Sequence, residues 1–147
     1  MYLALASSGV WKTTNNGTTF EPIFDNQGSY STGCIAIDPN NSNVIWVGTG
    51  ENNNQRSVAY GDGLYVSRDA GKSWTKSGLE SSEHIGMIAI DPTDGNHIYT
   101  AAYGPLWSSG GERGIYESQN GGQTWTRILF VDEHTGFNAI HIDPRDP

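Results

Sequence analysis

Two short patterns recur along this 147-residue chain, in the same order and at nearly the same interval. The first is an octet: "TTNNGTTF" at 13–20, "SRDAGKSW" at 67–74 and "SQNGGQTW" at 118–125, with starts 54 and then 51 residues apart. The second is a pentad: "IAIDP" at 35–39, "IAIDP" at 88–92 and "IHIDP" at 140–144, 53 and then 52 residues apart. Self-similarity at a fixed period marks a repeat architecture, in which each unit buries its apolar face against its neighbours. Chance supplies one such octet, not two interleaved series with a common period.

Each period reads as four strands. "CIAID" is a short buried strand stopped by Pro39, because proline cannot donate to a ladder. "PNNSN" is a turn, "VIWVGTG" a second strand and "GLYVS" a third. "RDAGKS" turns the chain again and "WTKSG" leads the fourth strand. Composition agrees: 19 glycines, 11% aromatic residues and only 16% charged residues favour a turn-rich β protein over a helical one. Repeated four-stranded antiparallel units of this length predict an all-β fold of β-propeller blades, about three blades' worth per chain.

The octet has a mechanical explanation. Asn15, Asp69 and Asn120 each offer a side-chain oxygen to backbone N–H groups inside the turn. Gly17, Gly71 and Gly122 supply a positive φ at little steric cost. Phe20, Trp74 and Trp125 are expected to drop between neighbouring sheets. Two of the three copies carry Asn, which cannot act as a carboxylic acid, so Asp69 is read as a turn residue and not a catalytic one. Asp38, Asp91 and Asp143, each before a proline, are read as turn starters.

These octets match the Asp-box, or bacterial neuraminidase repeat. With "GVWKTTNNGTTF", "YGDGLYVSRDAGKSW" and "ERGIYESQNGGQTW" around them, the chain resembles sortilin-like propellers and large secreted bacterial glycosyl hydrolase-like proteins over essentially its whole length. The resemblance implies the propeller fold and an extracellular or periplasmic setting. It leaves activity open, because this fold carries sialidases, glucanases, receptor ectodomains and assembly factors alike. The arginine triad that sialidases use to grip a carboxylate has no match among Arg56, Arg68, Arg113, Arg127 and Arg145. The xyloglucan-cleaving group carries an Asp between the second and third strands of its first blade, where this chain has Ser7 and Ser8.

The frame of the repeat places strands two to four of blade one at 1–24, blade two at 34–78, blade three at 85–130, and the first strand of a further blade at 137–143. Three blades do not close a ring, since closed propellers typically need four to eight. The expected partners are therefore further blades of a longer polypeptide, or further copies of the chain joined head-to-tail.

Function is expected on the rim opposite the octets, where the connections between second and third strands expand into 51–62 and 104–113. The ligand-binding candidates are Glu51, Arg56, Tyr60, Asp62, Tyr103, Trp107, Glu112 and Arg113, with His84 and His134 from the loops between blades. Aromatic platforms beside amides and carboxylates suit a glycan, and paired Arg and Glu suit a peptide. The plainer alternative makes Arg56 and Arg113 ion-pair pins for their loops, and His84 and His134 structural hydrogen-bonders. Hydrolysis is the second functional reading, with acids drawn from Glu51, Asp62, Glu83, Glu112, Asp132 and Glu133. No His-x-His or His-x-x-x-His spacing marks a metal centre, and no cofactor is expected.

A net charge of −8 argues against nucleic acid and anionic membranes as partners. No apolar run approaches membrane-spanning length. The opening "MYLALASS" reads as a strand and not a signal peptide, for want of a basic start and a longer apolar run. The single Cys34 is expected to pack as a small apolar residue.

Overall fold

The strand-forming segments all pair with their neighbours in sequence, which is what short turns between alternating runs dictate. The computed structural model describes residues 1–53, 57–145 and 147, with no helix among them. The first sheet joins β1 (Tyr2–Leu5), β2 (Gly9–Lys12) and β3 (Glu21–Pro22). The second joins β4 (Thr32–Ile37), β5 (Ile45–Thr49), β6 (Leu64–Ser67) and β7 (Thr75–Lys76). The third joins β8 (Ile85–Ile90), β9 (Ile98–Ala102), β10 (Gly114–Ser118) and β11 (Thr126–Leu129). All pairs are antiparallel. The fold is all-β, built of propeller blades.

Burial follows each sheet's position. Every residue of β5 and β6 is buried, because the second sheet has a neighbour on both faces. β1 alternates between half-buried and exposed, and β11 is exposed throughout. Two apolar clusters fill the gaps between sheets. Val10, Phe24, Val47 and Tyr65 lie between the first and second, and Trp46, Leu64, Ile85, Ile88, Ile98 and Tyr116 between the second and third. Cys34 packs against the latter cluster, and burial pushes its thiol up to about 12.

The three octet turns have one bonding scheme. In the middle copy, Ser67 Oγ accepts from Gly71 N at 2.8 Å, while Asp69 Oδ1 accepts from Ser73 N at 2.9 Å. Thr13 with Asn15, and Ser118 with Asn120, repeat both bonds to Gly17, Thr19, Gly122 and Thr124. The seventh position of the octet differs only in who donates. Ser73 Oγ donates to the Asp69 carboxylate at 2.6 Å, whereas the Asn15 and Asn120 amides donate to Thr19 and Thr124 at 2.8 Å. The Ser73 hydroxyl, followed by backbone N–H groups, lowers Asp69 to about 2. Gly71 and Gly122 sit at φ 87° and 82°, and a Cβ on Gly122 would strike the Trp46 ring and Ser77 Oγ.

The latch aromatics reach backwards along the chain. Trp74 donates its indole N–H to Ile23 O of the first sheet at 2.7 Å, and Trp125 donates to Ser77 O of the second at 2.6 Å. Phe20 departs from the expected pattern. It is half-buried like the two tryptophans but lies outside both clusters, since no sheet precedes its own among the described residues.

Residues 137–143 also depart from expectation. They run beside β8 but join no ladder: Phe137 N donates to Ala102 O at 3.1 Å, and Gly86 abuts the Asn138 backbone. In the second and third sheets the first strand is held by the second, and nothing among the described residues takes that place next to 137–143. A strand without a ladder partner leaves its polar backbone unpaired and is not held to strand geometry.

Candidate functional site

Antiparallel connections alternate between the two ends of the sheets. The latch turns (β2–β3, β6–β7 and β10–β11) therefore share one rim, and the connections β5–β6 and β9–β10 share the other. The second rim is stitched loop to loop. Ser31 Oγ donates to Ala59 O, Gly61 N to Glu83 O, and Gly110 N to Glu133 O, at 3.1, 2.7 and 2.9 Å.

Loop 104–113 is organised by Arg113. Its side chain is drawn inside the loop, leaving the residue only 5% exposed. Nε donates to Gly110 O and Nη1 to Tyr103 O, both at 2.8 Å. Nη2 donates to Ser108 O at 2.6 Å and to Pro105 O. Four of five guanidinium N–H groups are thus spent on loop carbonyls. Arg113 shapes the loop, and its partners are carbonyls where an ion pair was the alternative expected.

That loop and the 132–136 segment enclose a cleft of about 470 Å³. Tyr103, Leu106, Trp107, Ser108 and His134 line it, and the Arg113 stem lies along its wall. Trp107 is 66% exposed, an aromatic face held at the mouth of a polar hollow. Among the described residues the lining contains no carboxylate. Tyr103, Trp107, Arg113 and His134 are therefore brought together from the expected set. Leu106 and Ser108 were missed, because "PLWSS" carries no pattern beyond its turn-forming residues.

A second cluster forms under loop 51–62. His84 is 1% exposed, with Nδ1 3.1 Å from Glu51 O and Tyr60 tilted over its ring at 5.8 Å. The carbonyl fixes the proton on Nδ1, leaving buried Nε2 without a hydrogen-bond partner among the described residues. Burial lowers the pKa of His84 below its ordinary value. His134, its near-equivalent in sequence, is instead exposed on the cleft wall. Arg56 lies outside the described residues.

The expected acids are mostly committed elsewhere. Glu51 accepts from Asn53 Nδ2 and Ala59 N at 2.5 and 3.2 Å, closing its own loop. Asp62 faces the second sheet, accepting from Tyr65 Oη at 2.7 Å and pairing with Lys76 at 2.9 Å. Burial, reinforced by that carboxylate, pushes the Tyr65 phenol up to about 12. Glu112 accepts from Ser81 N and Oγ at 3.0 and 2.9 Å, and Asp132 accepts from His134 N at 2.8 Å. Glu83 and Glu133 contribute carbonyls to the stitching of the rim, Glu83 at φ 63°.

The profile of the BNR/Asp-box repeat matches residues 65–76, the third strand and latch of the second sheet. This chain carries the Asp-box repeat. A xyloglucanase of Hypocrea jecorina (strain QM6a) is 29% identical over 115 residues, covering 64% of this chain and 12% of the relative. The crystal structure of an ancestral GH74 enzyme superposes with a TM-score of 0.71 at 27% identity, over 93% of this chain and 17% of that one. The GH74 xyloglucanase of Xanthomonas campestris shares the fold at a TM-score of 0.61 and 16% identity, over 86% of this chain and 18% of its own. The Asp-box chain thus spans less than a fifth of the length of these relatives.

Proposed function

We propose that this Asp-box chain is a glycan-recognition segment of a propeller, with the cleft beside Trp107 as the sugar subsite. The observation that carries the reading is an exposed indole above a polar hollow whose lining, among the described residues, holds no acid. A pyranose ring presents an apolar face for stacking and a hydroxyl edge for hydrogen bonds, matching Trp107 and Tyr103 against Ser108 and His134. The glucanase relatives support a β-glucan backbone as the ligand class. An extracellular or periplasmic setting belongs to the same reading, because such polymers lie outside the cell.

A second reading, favoured by the same relatives, makes the chain part of a glycoside hydrolase. Two carboxyls about 5–9.5 Å apart across a bound sugar would be needed. Calorimetry with xyloglucan oligosaccharides, run beside an assay for new reducing ends, separates the two. Binding without cleavage, weakened about tenfold or more in Trp107→Ala, is expected from recognition. Cleavage supports the second reading. Equal binding by wild type and Trp107→Ala removes the cleft from the account.

A further inference from the structure

We propose that the cleft beside Trp107 selects an acidic sugar, a hexuronate whose carboxylate is drawn by the uncompensated charge of Arg113. The inference rests on the cleft reading above and narrows it from a glycan to an anionic one. Arg113 is the one lysine or arginine among the described residues that is buried. Its cage is closely fitted: a Cβ on Gly104 would strike the Arg113 side chain. Its three nitrogens donate to the carbonyls of Tyr103, Pro105, Ser108 and Gly110. Yet the ion pairs among the described residues engage Lys76, His97 and Arg145, and none engages Arg113. A cation taken out of water is normally held by an opposite charge. Carbonyl dipoles solvate the guanidinium without cancelling its charge.

The same dipoles turn the surplus outward. In a trans peptide the N–H points opposite to the C=O before it. With those four carbonyls facing the guanidinium, the amides of Gly104, Leu106, Ser109 and Gly111 face away from it. Gly104 N donates to Ser82 Oγ at 3.3 Å, and the other three bond no group among the described residues. Leu106 and Ser109 line the cleft. Outward N–H groups arrayed over a buried cation favour an anion. The far wall adds His134, which is exposed and whose imidazole makes no hydrogen bond among the described residues. Asp132, two residues before it, turns to His134 N at 2.8 Å and stays out of the lining. Arg113 keeps one N–H of five, so it acts mainly through its field, while His134, Ser108 and Ser109 supply direct bonds. Trp107 decides between kinds of anion, because only a sugar also presents a ring face to stack on the indole. A hexuronate joins that face and a carboxylate in one residue.

The net charge of −8 repels anions at long range, so the test is calorimetry at about 0.15 M salt, where charges more than about 8 Å apart are largely screened. The probes are a β-1,4-linked glucuronate oligosaccharide, its methyl ester and a cello-oligosaccharide of the same length. The acid is expected to bind about tenfold tighter than either neutral form. Trp107→Ala is expected to weaken binding of the acid and both neutral forms, and His134→Gln to narrow the advantage of the acid. Equal affinity for acid and ester, still lost in Trp107→Ala, overturns this inference and leaves the sugar cleft standing. A preference for the acid that neither substitution changes also overturns it, because the charge then acts elsewhere. Binding of no probe, or binding indifferent to Trp107→Ala, removes the cleft reading and this inference together.

Discussion

The two rims are built from the same repeat and obey different rules. On the latch rim, three turns keep one scheme to within a few tenths of an ångström, and the Asp/Asn exchange reverses one donor and adds one bond, from Lys72 N to Asp69. On the other rim, the equivalent connections are a three-residue turn at Ala6–Ser8 and two long loops that share no scheme. One is closed by the Glu51 carboxylate, the other by the Arg113 guanidinium. The difference teaches where a repeat protein can vary. The latch fixes both the hairpin and the aromatic that docks the next sheet, so changes there disturb two blades. A rim loop that satisfies its own carbonyls disturbs only itself.

The strongest way to break this contrast is Gly122→Ala. The substitution strains a residue at φ 82° and drives a methyl into Trp46 and Ser77, so a loss of about 3 kcal/mol is expected in urea unfolding. Arg113→Ala should cost somewhat less, about 2 kcal/mol, by leaving loop carbonyls unpaired. It should also loosen 104–110 and abolish glycan binding while the Trp125 environment, read by fluorescence, stays native. Lysine at 113 should not rescue the loop, because a point-like ammonium cannot reproduce the fork.

Two pH experiments sharpen the comparison with smaller effects. His84 is buried neutral with a lowered pKa, so the unfolded chain takes up the proton first, and stability should fall as pH drops below about 6.5. His84→Gln should show a shallower fall over that range. Asp69 behaves oppositely: its depressed pKa of about 2 stabilises the fold above its ordinary 3.8, and that contribution fades as pH falls towards 2. Asp69→Asn should be nearly silent at neutral pH, since two sister turns already use Asn, and should lose this acid sensitivity.

The latch rim was legible because its chemistry is local. Ser67, Asp69, Gly71 and Ser73 satisfy one another within seven residues, and a repeat exposes such a pattern at sight. Strand order was legible for the same reason, since every pair is sequence-adjacent. What escaped depends on partners far along the chain. The sequence offers Arg113 as a ligand-binding or ion-pairing cation, while the fold turns it back onto four carbonyls. His84 and His134 look equivalent after Glu83 and Glu133, yet one is sealed beneath loop 51–62 and the other faces the cleft. Residues 137–143 have the strand pattern without the ladder, because pattern alone does not supply the neighbour. Phe20 keeps the latch position without a sheet to dock on.

Hydrogen exchange at single-residue resolution tests the central claim most directly. The amides of Gly71, Ser73, Gly122 and Thr124 are bonded to side-chain oxygens of the latch, so they should exchange orders of magnitude more slowly than free turn amides. Exchange of these four at the rate of an unstructured peptide would contradict the account.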